Sequence, residues 1–538
     1  MATKRTQGVR FVANTGIVSL MKIVTSDQMR LLEQRSESAG VSTDSLMENA
    51  GLAVARSVRR RLGRVVGTQV VVVAGKGNNG GDGLVVARRL RSWGGRVTVC
   101  LTGPRPPGDP KLALVVSQGS AVVHLDIDAG LAQLRESLAS ADLVVDAVLG
   151  TGRSRPIEGV LEEILRVVAG ARARRSGLNV MALDLPTGLD ADSGAVDPAC
   201  LAADVTVTLG RPKPGLYAFP GAEYTGQVEI VDIGIPAGLD GDIPLALMTR
   251  EWAAALLPRR PLSAHKGTFG RTMVVAGSRN YLGAAYLAAT AAGRAGAGLV
   301  TLAIPESLRT PVAARAAEAT YLPLPESSPG MPGEQAAALV LENLDGYSAL
   351  LVGCGLGQAP ETGRLVEGLL LSGAPLPPAV IDADGLNLLP KQGGADWWKR
   401  LLSPAVLTPH PGEMAWLTDL STQAVGEDRI GVAVRSAGSW DKVVVLKGAF
   451  TVVACPSGRA MMSPFANPGL ASAGTGDVLA GAIAGLLSQG MPLEDAATLG
   501  VYLHGLAGDL ATAEMGTTGM LAGDLLSTLP KAAKGVGF

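Results

Sequence analysis

The sequence predicts an α/β protein built from two three-layer α/β/α domains in series. Solid apolar runs alternate with helical stretches, and a Pro- and Gly-rich interval at residues 235–262 interrupts this alternation before it restarts. A strand that is apolar at every position is typical of a parallel sheet covered by helices on both faces. The chain of 538 residues is also long for a single hydrophobic core. We therefore expect a flexible leader at residues 1–20, a first domain at 21–245 and a second at 246–538.

Composition narrows the class of protein. Lys and Arg number 47 against 48 Asp and Glu, and this net charge of −1 argues against a nucleic-acid partner. Gly, Pro or charged residues break every apolar run before it reaches about 18 residues, which argues against a membrane span. The four cysteines are scattered without metal-site spacing, as in a reduced cytoplasmic protein. These features favour a cytoplasmic enzyme with small-molecule substrates.

The first domain begins its strand series with VVVAGKGNNGGDGLVVARRL at residues 71–90, which predicts a strand, a Gly-rich turn and a helix. Gly75, Gly77 and Gly80 match a dinucleotide-binding fingerprint, a weak signal in a chain with 70 glycines. The amides and carboxylate of residues 78–82 are more specific, because they can ligate a cation or hydrogen-bond a ribose. The alternative is a tight turn in which Asp82 caps the helix, and for Asp82 alone both readings have equal weight.

Two further predicted strands, at residues 141–150 and 178–186, end in polar residues. Asp146 lies at the exit of the first, while Asp184 ends the second and is followed by Thr187. Ligands of open α/β sheets bind outside the carboxyl ends of the strands, so these groups are expected to meet Asn79 there. Asn79, Asp146 and Thr187 would form an all-oxygen site suited to a hard cation, and the lack of a carboxylate triad favours a monovalent ion over calcium. The weaker alternative for Asp184 is a turn before Pro186.

These motifs, with LMENAG, DAVLGTG, DLPTGLDADSG, TVTLGRPKPGL and VDIGIP, resemble the NAD(P)H-hydrate epimerase domain over about residues 24–236. The resemblance implies a Rossmann-like fold, a catalytic Asp184, and K⁺ bound by Asn79, Asp146 and Thr187, the last in place of the usual Ser. The residues implied to hold the hydrated nicotinamide are Asn78, Asn79, Gly80, Gly81, Asp82, Gly150, Thr151, Gly152, Arg153, Ser154, Arg155, Pro156 and Asp184. A scaffold role, known for similar domains in RNA-processing complexes, would not need this polar set.

In the second domain, the stretch ANPGLASAGTGDVLAG at residues 466–481 combines two opposed features. Asn467, Gly469, Gly474 and Gly476 would leave backbone N–H groups free at the start of a helix, which is a natural anion cradle. Asp477 places a negative charge in that cradle. A carboxylate at this position predicts a role other than phosphate binding.

With AHKGTFG, AGSRNYLGAA, RAGAGLVT, VGCGLG, IDADGLN, TPHPGEM and LKGAFT, this stretch resembles the ribokinase-like superfamily and, within it, the ADP-dependent NAD(P)H-hydrate dehydratase, over about residues 250–535. Ala466 replaces the usual Gly, and Cys354 a common Pro. The resemblance implies ADP with Mg²⁺ as co-substrate, bound by Lys447, Gly448, Ala449, Phe450, Thr451, Asn467, Pro468, Gly469, Ala473, Gly474, Thr475 and Gly476. The implied hydrate pocket consists of Ala284, Gly355, His410, Glu413 and Asp477.

The resemblance gives Asp477 the role of catalytic base, which takes a proton from an acceptor hydroxyl as the terminal phosphoryl group arrives. In a hydrated nicotinamide, the ring nitrogen would then expel phosphate. The implied function is repair: epimerisation of the R and S hydrates and dehydration of the S form, with ADP giving AMP and phosphate. The alternative is a ribokinase-like small-molecule kinase with an N-terminal ligand-binding or scaffold domain.

Several residues keep two interpretations. His410 lies between two prolines and would also fit a turn. Asp382 and Asp384 would serve magnesium or hold a strand end. The pair Trp397–Trp398 fits packing better than substrate stacking. Related enzymes assemble into symmetric oligomers, so a homo-oligomer is expected.

Overall fold

The computed structural model describes residues 10–11, 20–125, 129–152 and 156–537. The chain divides into two compact units, and the main boundary falls between Ile243 and Pro244. We call them the N-terminal and the C-terminal unit. Most of the predicted leader lies outside the described residues, although residues 10 and 11 form a short strand.

The N-terminal unit contains one eight-stranded sheet in the order β1-β9-β8-β7-β6-β3-β4-β5, in which every described strand pair is parallel. Its strands are β1 (Arg10–Phe11), β3 (Gln69–Ala74), β4 (Arg96–Leu101), β5 (Ala121–His124), β6 (Leu143–Ala147), β7 (Asn179–Leu183), β8 (Val205–Leu209) and β9 (Gln227–Val231), and the short β2 (Met21–Lys22) precedes the first helix. The helices are α1 (Ser26–Ser38), α2 (Thr43–Leu62), α3 (Asn78–Ser92), α4 (Pro110–Ser117), α5 (Ala129–Ser140) and α6 (Val160–Arg174).

Strand β3 shows why this unit has three layers. Val70 and Val72 pack into a core with helices α1 to α3, while Val71 and Val73 pack into a second core with α5 and α6. Successive side chains of a strand point to opposite faces of the sheet. Since both faces of β3 are buried, the solid apolar run follows directly, and the predicted α/β fold class is confirmed.

The C-terminal unit contains a larger sheet in the order β13-β12-β11-β16-β17-β18-β19-β20-β21-β10. Its strands, with the separate hairpin β14–β15, are β10 (Leu245–Leu247), β11 (Arg271–Val275), β12 (Leu299–Pro305), β13 (Thr320–Leu324), β14 (Glu326–Ser328), β15 (Met331–Pro332), β16 (Ala349–Val352), β17 (Ala379–Ile381), β18 (Ala405–Leu407), β19 (Val443–Leu446), β20 (Val452–Ala454) and β21 (Ala460–Met462). The helices are α7 (Arg250–Leu256), α8 (Leu282–Arg294), α9 (Arg309–Ala313), α10 (Ala336–Glu342), α11 (Pro360–Leu370), α12 (Asp384–Gly393), α13 (Trp397–Arg400), α14 (Pro411–Thr418), α15 (Thr422–Glu427), α16 (Arg429–Trp440), α17 (Thr475–Ser488), α18 (Leu493–Met515) and α19 (Ala522–Gly537).

The pairs β19–β20 and β20–β21 are antiparallel, whereas every other neighbouring pair in this order, from β13 to β19 and between β21 and β10, is parallel. Strand β20 is followed by the turn ACPSG, which leads into β21. The segment 447–451 between β19 and β20 leaves the sheet. This segment forms a loop at the carboxyl end of β19.

Helix α17 owes its position to two glycines. A Cβ atom on Gly481 would lie 2.2 Å from the carbonyl oxygen of Ala288, and one on Gly485 would lie 2.3 Å from that of Ala292. Only glycine permits this backbone approach to α8. The contact fixes α17, whose first turn contains Asp477, against α8. Among the described residues, no helix has both the length and the apolar character needed to cross a bilayer.

Candidate active sites

The first site lies at the carboxyl edge of the N-terminal sheet, where β3, β6 and β7 are neighbours. Residues 78–82 open helix α3 directly after β3, Asp146 lies within β6, and Asp184 follows β7. The structure thus brings the predicted polar groups to one edge. Thr151 is half-buried, and Gly152 and Pro156 are exposed. Arg153, Ser154 and Arg155 lie outside the described residues.

The glycines of the first turn are required by close backbone contacts. A Cβ atom on Gly80 would lie 2.0 Å from the carbonyl oxygen of Gly75, and one on Gly75 would lie 2.1 Å from that of Val148. The turn after β3 is therefore packed against the exit of β6. Gly77 is the N-cap of α3 and provides no side-chain cap. Asp82 lies inside the helix, so the predicted capping alternative for Asp82 is wrong.

Asp146 and Thr187 form a buried pair. The Thr187 hydroxyl donates to Asp146 Oδ1 at 2.7 Å, and the Thr187 N–H donates to Oδ2 at 2.8 Å. Both residues are at most 1% exposed. Burial raises the pKa of Asp146 to about 6, although these hydrogen bonds act in the opposite direction. The N–H of Leu149 donates to the Thr187 hydroxyl at 3.1 Å, which ties the exit of β6 to this pair.

Asn79 lies against the same exit loop, because a Cβ atom on Gly150 would be 3.3 Å from Asn79 Cγ. Asn79 Nδ2 is buried without a hydrogen-bond partner among the described residues. Rotation of the Asn79 side-chain amide by 180° would place Oδ1 where Nδ2 now lies. An oxygen placed here would complete a donor set with Asp146 and Thr187. The residues therefore fit a hard cation such as K⁺.

Asp184 has a left-handed backbone with φ of 69° and is 7% exposed. Its Oδ1 accepts from the N–H of Leu209 at 3.0 Å, from the Thr208 hydroxyl at 3.2 Å and from the ammonium group of Lys213. Lys213 is 1% exposed. Sequence analysis missed Lys213, although the motif TVTLGRPKPGL contains it directly after β8.

Asp82 is 7% exposed, and burial raises its pKa well above the usual range, with Asp184 and Glu33 adding in the same direction. Glu33 on α1 is half-buried, and its pKa is raised by burial and by Asp184 and lowered by Lys213. Glu33 was not predicted from the sequence. Three carboxyl groups, those of Asp82, Asp184 and Glu33, therefore interact with one buried lysine, and Asp146 is the fourth carboxyl group of the site.

The second site lies in the C-terminal unit at the start of α17. Gly474, with φ of 90°, is its N-cap. A Cβ atom on Gly476 would lie 3.5 Å from Lys447 Nζ and 4.0 Å from Asp382 Oδ2. It would fill the space in front of the lysine. The helix N-terminus, the small loop residues and the ammonium group together form a cradle suited to phosphate.

Other loop side chains fix the cradle rather than face it. The Asn467 amide donates to Asp509 Oδ1 and Thr512 Oγ1, both at 2.9 Å, and accepts from the N–H of Gly469. The Thr475 hydroxyl donates to backbone carbonyls of the same loop. Pro468 and Gly469 form a short 3₁₀ turn, and Ala473 is exposed. Because the Asn467 and Thr475 side chains are engaged in these hydrogen bonds, a ligand in the cradle would contact the backbone of the loop.

Asp477 lies in a group of buried ionisable residues. Lys447 Nζ donates to Asp382 Oδ1 at 2.6 Å, and the Thr408 hydroxyl donates to the same oxygen at 2.7 Å. The Cys354 thiol lies 3.8 Å from Asp382 Oδ2. Burial, followed by the Asp382 charge, raises the pKa of Asp477 to about 7. Asp477 is thus a carboxylate of unusual basicity beside the cradle.

His410 and Glu413 form a capping box at the start of α14. His410 Nδ1 accepts from the N–H of Gly412 at 3.0 Å and of Glu413 at 3.2 Å, while Glu413 Oε2 accepts from the N–H of His410 at 2.8 Å. The helix-starting role of His410 is therefore present in the structure, and its other ring nitrogen, Nε2, lies 3.5 Å from Glu413 Oε1. Glu413 is buried, and Lys447 Nζ lies 3.7 Å away.

The remaining predicted pocket residues meet as well. A Cβ atom on Gly355, with φ of 63°, would lie 2.7 Å from the Cβ atoms of Ala284 and Tyr281. The half-buried Arg429 holds the loop of Lys447, Gly448, Ala449, Phe450 and Thr451. Its guanidinium donates to the carbonyls of Ala449 at 2.6 Å and of Lys447 at 3.2 Å.

Some positioning residues could not be read from the sequence. His504 Nε2 lies 2.9 Å from the carbonyl oxygen of Thr475, and burial lowers its pKa to about 4, so this histidine is neutral and donates.

Asp384 accepts from the N–H of Gly357 at 2.8 Å and holds a strand-end loop. Trp397 is buried against Trp398 and Trp440, which confirms the packing interpretation.

The fold and the two sites define a two-domain α/β enzyme that has an acid–base centre in one unit and a phosphate cradle with a basic carboxylate in the other. A family model described as NAD(P)H-hydrate dehydratase matches residues 272–531, and one described as YjeF-related protein N-terminus matches residues 43–215.

The bifunctional NAD(P)H-hydrate repair enzyme of Moorella thermoacetica is 42% identical over 523 residues, covering 95% of this chain and 96% of that protein. The enzyme of the same name from Thermofilum pendens is 40% identical over 523 residues, with 96% of both chains covered. A structure of the ADP/ATP-dependent NAD(P)H-hydrate dehydratase from Bacillus subtilis is 31% identical and covers 54% of this chain and 98% of its own, with a TM-score of 0.46. This chain belongs to the family of bifunctional NAD(P)H-hydrate repair enzymes, which confirms the resemblance found in the sequence.

Proposed function

We propose that this chain repairs hydrated nicotinamide cofactors in two reactions. The N-terminal unit interconverts the R and S hydrates of NADH or NADPH, and the C-terminal unit dehydrates the S hydrate with ADP, giving AMP and phosphate. The observation that carries the proposal is the placement of Asp477, a half-buried carboxyl group whose pKa is raised to about 7, beside a Gly-lined cradle and Lys447. The family relationship over the whole chain supports the same pair of reactions.

The dehydration follows from phosphoryl transfer to a hydroxyl group. Asp477 accepts the proton of the hydrate hydroxyl while the terminal phosphoryl group of ADP moves to its oxygen. The ring nitrogen beside that carbon then expels phosphate, and loss of a neighbouring proton restores the dihydropyridine. A base whose pKa lies near neutrality is suited to this step because it is largely ionised and still basic at the operating pH.

ADP enters this reaction as co-substrate, with Mg²⁺ as its counter-ion. The cradle at residues 474–476 supplies backbone N–H groups for the phosphates, and Lys447 supplies a positive charge. Asp382 holds Lys447 in place at 2.6 Å. We assign the loop at residues 447–451 and the segment 467–476 to ADP, and Ala284, Gly355, His410 and Glu413 to the hydrate pocket.

Epimerisation is assigned to the N-terminal edge, with Asp184 as a catalytic residue and residues 78–82 and 150–156 as the substrate contacts. K⁺ held by Asn79, Asp146 and Thr187 would supply a fixed positive charge near the substrate. Asp146 and Thr187 already fix each other by two hydrogen bonds, so they would hold the exit of β6 in place for the substrate.

Two broader assignments accompany these reactions. Nicotinamide cofactors and four free thiols are consistent with a cytoplasmic enzyme. The family resemblance supports a homo-oligomer, and light scattering on the purified protein would measure its mass.

The first test is repair of an NADH-hydrate preparation that contains both epimers. The recovery of dihydronicotinamide absorbance is measured with ADP, with ATP and with no nucleotide. Full recovery that requires a nucleotide supports both activities. Recovery that stops at the S fraction would contradict the epimerase assignment. A stable phosphorylated product instead of recovered cofactor would contradict the dehydratase and point to a small-molecule kinase.

A further inference from the structure

The carboxyl groups of the N-terminal site have unequal partners. The ammonium group of Lys213 has three protons, and it donates to Asp184 Oδ1, to Thr208 Oγ1 at 3.3 Å and to the carbonyl of Leu209 at 3.3 Å. All its donors are therefore used within this group. Because Lys213 and Asp184 are both almost fully buried, each needs the charge of the other.

Asp82 has no such partner. Within the described part of the chain, no hydrogen-bond donor lies against its carboxyl group. The charged groups that face it are Asp184, Glu33, Lys111 and Lys213, and both carboxylates oppose its ionisation. Lys111 is already paired with Asp44, and Lys213 with Asp184. Burial and the two neighbouring carboxylates therefore favour the protonated form of Asp82, whereas Asp184 has a buried ammonium group as its partner.

We propose that the epimerase site divides its acid–base work between Asp82, which carries the proton, and Asp184, which acts as the carboxylate, and that Lys213 is the positioning residue that sets this division. The inference rests on the epimerase function proposed above. Two carboxyl groups whose environments differ in this way are suited to opposite proton-transfer roles.

The reaction then proceeds through a planar cation. Asp82 gives its proton to the hydroxyl group on the carbon beside the ring nitrogen, the C–O bond breaks, and water leaves. The nitrogen lone pair forms a C=N⁺ bond, and the Asp184 carboxylate offsets the new charge. A water molecule adds to the opposite face and gives one proton to Asp184, and solvent returns a proton from Asp184 to Asp82. No oxidant or reductant is needed.

The test uses the full chain without nucleotide, so that the dehydratase is idle, and separates the two NADH-hydrate epimers by chromatography across pH. We compare the wild type with D82N, K213M, K213R and E33Q. The wild-type rate should fall at high pH, where Asp82 loses its proton. D82N should lose about 100-fold or more in rate, together with the high-pH fall. K213M should lower the rate, because Asp184 has lost its cation, and should move the high-pH fall to higher pH, because Lys213 lowers the pKa of Asp82; K213R should restore both.

E33Q removes the other carboxyl group that opposes the ionisation of Asp82, so it should keep the high-pH fall and move it to lower pH. The proposal is overturned if D82N keeps a near-normal rate and the high-pH fall, or if E33Q abolishes that fall instead. If K213M does not fold, K213R and D82N still decide. A wild-type chain that leaves the epimers unchanged at every pH would contradict the epimerase function itself, a result distinct from these.

Discussion

The two units use the same electrostatic device in opposite ways. Each site contains a buried lysine paired with one aspartate, Lys213 with Asp184 and Lys447 with Asp382, and a second aspartate whose pKa is raised. In the N-terminal unit the aspartate assigned to catalysis is the paired one. In the C-terminal unit the lysine pairs with Asp382 instead. The assigned base, Asp477, has no ion-pair partner among the described residues.

The difference shows how one pair of residue types gives two kinds of carboxyl group. Pairing with a buried cation keeps a carboxylate ionised, whereas burial next to another carboxylate favours the protonated form. Asp477 lies next to the Asp382 carboxylate and is half-buried, and its pKa is raised to about 7. At this pKa both the protonated and the ionised form are present near neutral pH. Predictions that separate the paired from the unpaired aspartates therefore test the comparison.

The largest effect is expected for Asp477→Asn. The amide cannot accept the hydroxyl proton, so dehydration of the S hydrate should fall by about 10³-fold, within the range for loss of a general base. Calorimetry should show ADP binding within a few-fold of wild type, because the cradle consists of backbone and Lys447. Epimerisation, measured without nucleotide, should be unchanged. Loss of ADP binding with little loss of turnover at saturation would contradict the base role.

Lys447→Met should destabilise the C-terminal unit by about 3–5 kcal/mol, because Asp382 and Glu413 would remain buried without their cation. Five of the six tryptophans lie beyond residue 245, so urea unfolding followed by tryptophan fluorescence reports mainly on this unit. The double variant Lys447→Met with Asp382→Asn should recover part of the loss. Equal stability of the single and double variants would mean that the pair is not the cause.

The pH dependence of dehydration should report the ionisation of Asp477. Since the pKa of Asp477 is raised to about 7, kcat/KM for the S hydrate should rise about tenfold per pH unit below 7 and level off above it. An ordinary aspartate would give a flat profile from pH 5.5 upward. A flat profile with the wild type would therefore show that Asp477 is not the group that titrates.

The sequence predicted the strands that carry Asp146 and precede Asp184, and the positions of these two residues, because both follow from local pattern. Asp146 and Asp184 end solid apolar runs, and parallel strands bring their carboxyl ends to one edge. The partners were not predictable in the same way. Lys213 and Lys447 acquire their roles from residues 29 and 65 positions away, and the spacing of charges along a sequence carries no record of such pairs.

Supporting residues were missed for a related reason. Arg429, His504 and Asp509 act on backbone groups or on Asn467 from helices distant in sequence, and none stands in a recognisable motif. The assigned ligand Asn467 illustrates the consequence. Its residue type matches a family pattern, yet the structure shows its side chain bound to Asp509 and Thr512, so only its surrounding backbone faces the cradle.

The smallest expected effect concerns stability, and its sign is the sharpest test of the comparison. Because folding raises the pKa of Asp477, its ionisation opposes folding, and the cost grows as pH rises from about 4 to about 7 and is constant above. Asp477→Asn should therefore stabilise the C-terminal unit at pH 8, on the order of 2 kcal/mol, and hardly at pH 4. The same substitution at Asp382 should destabilise the unit at pH 8, since Lys447 loses its closest anion. Urea unfolding of both variants at the two pH values measures this, and equal signs at pH 8 would show that paired and unpaired aspartates do not differ as described.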